Sequence, residues 1–154
     1  EHGDFRVFEA FAVMRYVDEA FSGPALQPAT AAGRALQTQW ASCYGDYVAP
    51  HAIRGVLIPR LVLAPRGMAV DVAAIEAAAV RAHEALLIFD RALAGSPYLA
   101  GDSPSLADWL VLPAWTAASG LTGAERYTDG LPNVKAWAGR LNVRPSFAAA
   151  LPHR

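Results

Sequence analysis

From Ile75 to Leu93 the apolar side chains return at every third or fourth position: Ile75, Ala79, Ala82, Leu86, Phe89 and Leu93. That spacing places them on one face of an α-helix and does not fit the two-residue alternation of a half-buried strand. Such a helix is stable only where its apolar face is covered, so the chain must pack helices together around a shared core. Composition agrees. Hydrophobic residues make up 54% and charged residues 18% of the 154 positions, which is the balance of a globular chain and not of a disordered one. The net charge is -1, and no basic stripe is present to bind nucleic acid. No apolar run reaches the ~20 residues that cross a bilayer. One cysteine, Cys43, excludes an intrachain disulfide, and a reducing cytoplasm suits such a chain.

The punctuation of the chain divides it into helices. His2-Gly3-Asp4 reads as a turn and Phe5 to Phe8 as a short strand. Glu9 to Phe21 follows as a helix, and Ser22-Gly23-Pro24 ends it. Ala10 to Met14 is apolar at consecutive positions, so this helix must be covered on more than one side. A lone strand beside it has no pairing partner, and a sheet is therefore expected against its second side. Ser22 to Ala29, with two prolines, is the candidate domain boundary.

A long helix is predicted from Thr30 to Val62. Trp40, Tyr44, Tyr47, His51 and Arg54 fall at steps of four and three along it, which is one face at ordinary helical pitch, and Pro50 predicts a kink. Asp71 is suited to cap the helix that runs to about Ala94. Ser105 to Ser119 follows with Pro113 inside, and Pro132 sits at the first turn of another helix running to about Leu141. Helices joined by short loops predict an α-helical bundle.

Ser105-Leu106-Ala107-Asp108 has the spacing of a capping box, in which Ser105 and Asp108 each satisfy the other's backbone N–H. Alone it marks a helix start and no function. The longer string carries more. Tyr98-Leu99-Ala100-Gly101, Ser105 to Trp109, Leu131 to Trp137 and Arg144-Pro145-Ser146-Phe147 closely resemble, in this order, the elements of the glutathione transferase C-terminal domain. Phe8 to Tyr16 resembles the segment that closes the family's glutathione-binding domain.

The resemblance implies a mainly α fold: a glutathione transferase C-terminal-like helical bundle with a remnant of a thioredoxin-like α/β domain before it. Residues 1–22 correspond to the end of that domain, 23–30 to a linker and 31–154 to the all-helical domain. The implied function is conjugation of glutathione, as co-substrate, to a small hydrophobic electrophile, or its glutathione-dependent conversion. The family's catalytic serine, tyrosine or cysteine and its cis-proline loop lie in a part that this sequence does not contain. Residues 1–154 alone are therefore expected to be inactive, with no catalytic residue of their own. The alternative is a non-catalytic module of the same fold, used for ligand binding or protein assembly.

Glu9 falls where the family places an acid that faces the γ-glutamyl ammonium; an acid favoured at a helix N-terminus is the plainer explanation. Ala10 departs from the family's serine and brings only its backbone N–H. Tyr44, Tyr47 and His51, with Trp115, are the candidates for the electrophile wall, and core packing is the competing explanation. Cys43 has no histidine at helical spacing and reads as an inert thiol. His2, His51, His83 and His153 show no metal-ligand spacing, so no metal is expected. A homodimer through the first and long helices is expected, with no nucleic-acid or membrane partner, in the cytoplasm.

Overall fold

The computed structural model describes residues 1–150 and, at Ala148, the backbone only. His153 lies outside the described residues. Helix α1 spans Ala10–Ala20 and α2 Ala31–Cys43. The latter runs on without a break through wider, π-type turns at Tyr44–Val48, Pro50–Leu57 and Pro59–Leu63. Then come α3 Val72–Leu93, α4 Leu106–Ser119, the short α5 Glu125–Thr128, α6 Pro132–Asn142 and α7 Pro145–Ala150. The chain is thus mainly helical, as the sequence predicts. No strand forms among the described residues. His2 and Phe5 make a single antiparallel bridge that closes the predicted turn, and the strand expected at Phe5 to Phe8 is absent because nothing pairs with it.

Local chemistry explains the helix starts. The Thr30 hydroxyl accepts from Gly33 N–H at 3.0 Å, and the Asp71 carboxylate accepts from Ala74 N–H at 3.0 Å. The α6 N-terminus is capped from a distance: buried Asp90, on α3, accepts from the backbone N–H groups of Asn133 and Val134 at 2.8 and 3.0 Å. The predicted linker is tied down as well. Asp18 accepts from the N–H groups of Leu26 and Gln27 at 2.7 and 3.2 Å.

The main core lies between the long helix, α3, α4 and α6, around Trp40, Phe89, Leu112, Leu131 and Trp137. All six residues of the Ile75–Leu93 stripe are buried. Helix α1 contributes no buried residue. Across the bundle, Glu76 pairs with Arg60 at 3.0 Å and with Arg126 at 2.7 Å, joining the long helix, α3 and α5.

The long helix corrects one expectation. Pro50 and Pro59 have no N–H and their rings crowd the carbonyl four residues back. The helix answers by widening: Ala49 N–H bonds to Tyr44 O, Ile58 to Ile53 and Ala64 to Pro59, each five residues back. The buried positions then recur at steps of four: Trp40, Tyr44, Val48, Ala52 and Val56. At ordinary pitch each step of four drifts by about 40° and the set would turn through about 160°. Wider turns keep it on one side. The predicted face therefore splits: Trp40 and Tyr44 enter the core, whereas Tyr47 is 59% exposed and Arg54 faces solvent.

Candidate functional site

Glu9 stands immediately before α1 with φ 72° and ψ 121°. It is the non-glycine residue with positive φ among those described. An L side chain is strained in this region, and such strain concentrates at functional sites. Its backbone carbonyl accepts from Val13 N–H at 2.9 Å, but its carboxylate makes no cap bond. Both Glu9 and Ala10 are exposed. The first N–H groups of α1 thus lie without a side-chain cap at the positive end of the helix dipole. A free carboxylate beside free N–H donors suits a ligand end that carries an ammonium and a carboxylate together.

The structure does not bring the four electrophile candidates into one pocket. Tyr44 and Trp115 are core residues on the wall of a cavity of about 20 Å³, under Tyr127 and Thr128. Burial raises the Tyr44 phenol above the usual tyrosine range. Tyr47 and His51 instead line a shallow surface groove of about 380 Å³ with Arg81, Glu84 and Ile88. The π-type winding of the long helix turns Tyr44 into the core, where α4 brings Trp115, and leaves Tyr47 and His51 on another side.

Two apolar concavities escaped the sequence reading. One, about 340 Å³, runs along α1 past Val13, Val17 and Phe21 to Leu106. The other is about 680 Å³ and lies between α4 and α7, lined by Trp109, Leu112, Pro113, Thr116 and Phe147 among others. Its signal was available in part, since Trp109 closes the capping motif and Phe147 closes the Arg144-Pro145-Ser146-Phe147 turn. Which way each side chain faces depends on how α7 docks.

At the start of α4 the capping box forms. Asp108 is fully buried, and its Oδ2 accepts from the Ser105 N–H at 2.8 Å and hydroxyl at 2.7 Å. Its Oδ1 accepts from Leu99 N–H at 3.0 Å and Trp137 Nε1–H at 2.7 Å. Ser105 and Asp108 are structural in this arrangement. Cys43 is half-buried, and burial, with nearby Asp46 adding to it, pushes its thiol up. Of the histidines, His2 meets the Tyr16 hydroxyl at 2.7 Å and His83 the Asp129 carbonyl at 2.8 Å. No three His, Cys, Asp or Glu side chains converge among the described residues, and no helix there is long and apolar enough to cross a membrane.

The family profile described as "Glutathione S-transferase, C-terminal domain" matches residues 50–145. The chain belongs to the glutathione S-transferase family. It is 32% identical to glutathione S-transferase F14 of Arabidopsis thaliana over 152 residues, covering 96% of this chain and 59% of that relative. A solved structure of glutathione S-transferase III in its apo form superposes with a TM-score of 0.87 at 31% identity, over 100% of this chain and 72% of that one. The theta-class glutathione S-transferase of Xanthomonas axonopodis pv. citri, solved with glutathione bound, gives 0.83 at 28% identity over 99% and 70%. The chain thus spans a little under two thirds of the Arabidopsis transferase, and its helical bundle is the C-terminal domain of this family.

Proposed function

We propose that this chain is the electrophile-binding helical part of a glutathione transferase and that residues 1–22 contribute to its glutathione site. The observation that carries the reading is Glu9, held at φ 72° with a free carboxylate at the α1 N-terminus. Glutathione's γ-glutamyl end presents an ammonium to that carboxylate and a carboxylate to the N–H groups of Ala10 and Phe11. Ala10 adds no hydroxyl. One such contact contributes ~1–3 kcal/mol, which alone supports only millimolar binding or weaker. The thiol must be activated by a hydroxyl or thiol donor outside residues 1–154, in a thioredoxin-like domain packed against α1.

Val13, Val17 and Phe21 remain exposed along the α1 groove, which is the surface such a domain would cover. Of the electrophile-wall candidates Tyr44, Tyr47, His51 and Trp115, Tyr47 and His51 face a groove open to a ligand or to a second subunit. The outer face of the long helix, with Tyr47 and Leu61 exposed, supports a homodimer. A cytoplasmic setting suits the single free thiol. A non-catalytic, ligand-binding relative is the second reading, and Ala10 is what favours it.

The test is Glu9→Gln in the intact transferase. The KM for glutathione should rise by about tenfold, the equivalent of one charged contact, with kcat for an aryl halide nearly unchanged. An unchanged KM would remove Glu9 from the site.

A further inference from the structure

A positive φ is costly for a residue with a side chain and persists only where the surroundings enforce it. Glu9, at φ 72°, is held from its C-terminal side by the bond its carbonyl accepts from Val13 N–H, at 2.9 Å. On its N-terminal side Phe8 is 82% exposed, and the Glu9 side chain makes no cap bond. The constraint comes from farther back. The His2–Phe5 turn is closed by two backbone bonds, at 3.0 and 3.1 Å, and it docks on α1 at Tyr16. His2 Nδ1 lies 2.7 Å from the Tyr16 hydroxyl, and the Phe5 and Tyr16 ring centroids are 4.7 Å apart. Phe21 completes the cluster, its ring 5.2 Å from that of His2 and edge-on to Tyr16 at 6.4 Å.

Tyr16 stands seven residues after Glu9, which is about two helical turns and about 10 Å along the axis. The arm from Glu9 back to Phe5 is four residues long and reaches at most about 14 Å. An arm of that length, folded back along α1 and tied to it two turns on, leaves little freedom at the point of reversal, and that point is Glu9. An aromatic pair and a hydrogen bond acting together are of the size needed to offset the cost of one positive-φ residue. We infer that Tyr16 is a positioning residue of the glutathione site: by tying the His2–Phe5 turn to α1 it holds Glu9 in its positive-φ conformation and so aims the carboxylate at the γ-glutamyl ammonium. Tyr16 acts only through Glu9, so this role rests on the one proposed for Glu9.

Steady-state kinetics of the intact transferase test it, with glutathione and with an analogue that lacks the γ-glutamyl amino group. Tyr16→Leu should raise the glutathione KM severalfold, short of the about tenfold expected of Glu9→Gln, with kcat nearly unchanged. The analogue offers Glu9 no ammonium, so its KM should not move; loosening of the whole domain would raise both. Adding Tyr16→Leu to Glu9→Gln should raise the glutathione KM no further. Tyr16→Phe keeps the ring and loses only the bond to His2. Its glutathione KM should rise about twofold, which carries the test even if Tyr16→Leu melts early. A glutathione KM unmoved by both variants would overturn the inference, as would an equal rise for the analogue or additive effects in the double variant. The two roles fail separately. No response to Glu9→Gln removes Glu9 itself from the site; a response to Glu9→Gln with none to either Tyr16 variant removes only the role of Tyr16.

Discussion

Asp108 joins three stretches of chain through one buried carboxylate: the Leu99 turn, the Ser105 helix start and Trp137 on α6. Asp108→Ala leaves those donors buried and unpaired, so it should cost about 3–5 kcal/mol. For a domain of this size that lowers the melting temperature by about 10 °C; a melt equal to that of the unaltered protein would contradict the assignment. The capping pair itself is legible from the Ser105-to-Asp108 spacing. The Trp137 bond is not, because nothing in the sequence ties a side chain to a carboxylate 29 positions away. Cys43 gives a pH test. Burial raises its thiol, so the neutral form is the one the folded state favours. That contribution is intact below the ordinary thiol pKa and fades as pH rises through the raised one. At pH near 8 iodoacetamide should therefore label Cys43 more slowly than it labels the unfolded chain. Equal rates would refute the shift.

The long helix and α3 come close together at Gly55. A Cβ built there would stand 2.4 Å from the Ala78 Cβ, so the two backbones approach in a way that only glycine allows. In an exposed helix, alanine would gain up to ~1 kcal/mol over glycine. Here the clash wins, and Gly55→Ala should destabilise by about 1–3 kcal/mol in denaturant unfolding. Ala78→Gly in the same chain should recover part of it. A stabilised Gly55→Ala would show that the helices are not so close. The extent of this helix could be read from sequence, but its winding could not. Periodicity arguments assume 3.6 residues per turn, and Pro50 and Pro59 invalidate that assumption for the residues between and around them. At ordinary pitch Tyr47 and His51 share a face with Tyr44; the wider winding separates them and builds the step-of-four core instead. The stripe from Ile75 to Leu93 keeps the 3.6-residue period because no proline interrupts α3. The α6 cap by Asp90 escaped for another reason: its partners lie 43 and 44 positions on.

At the scale of the molecule, the bundle buries a continuous core, yet it leaves apolar side chains along α1 and on the outer face of the long helix exposed. Two covers follow from the proposed function: a thioredoxin-like domain on α1 and a second subunit on the long helix. For the second, light scattering of the intact transferase at micromolar concentration should give a dimer. Tyr47→Glu should shift it toward monomer, since a buried unpaired charge is costly at an interface; a monomeric intact protein would contradict the dimer. In the proposed function the bundle holds the electrophile while thiol activation comes from outside residues 1–154. This division is tested by an aryl halide conjugation assay on this chain alone and on the same chain joined to a thioredoxin-like, glutathione-binding domain. The chain alone should give the uncatalysed rate and the joined form turnover. Turnover by the chain alone above background would place the chemistry in the helical domain and contradict it.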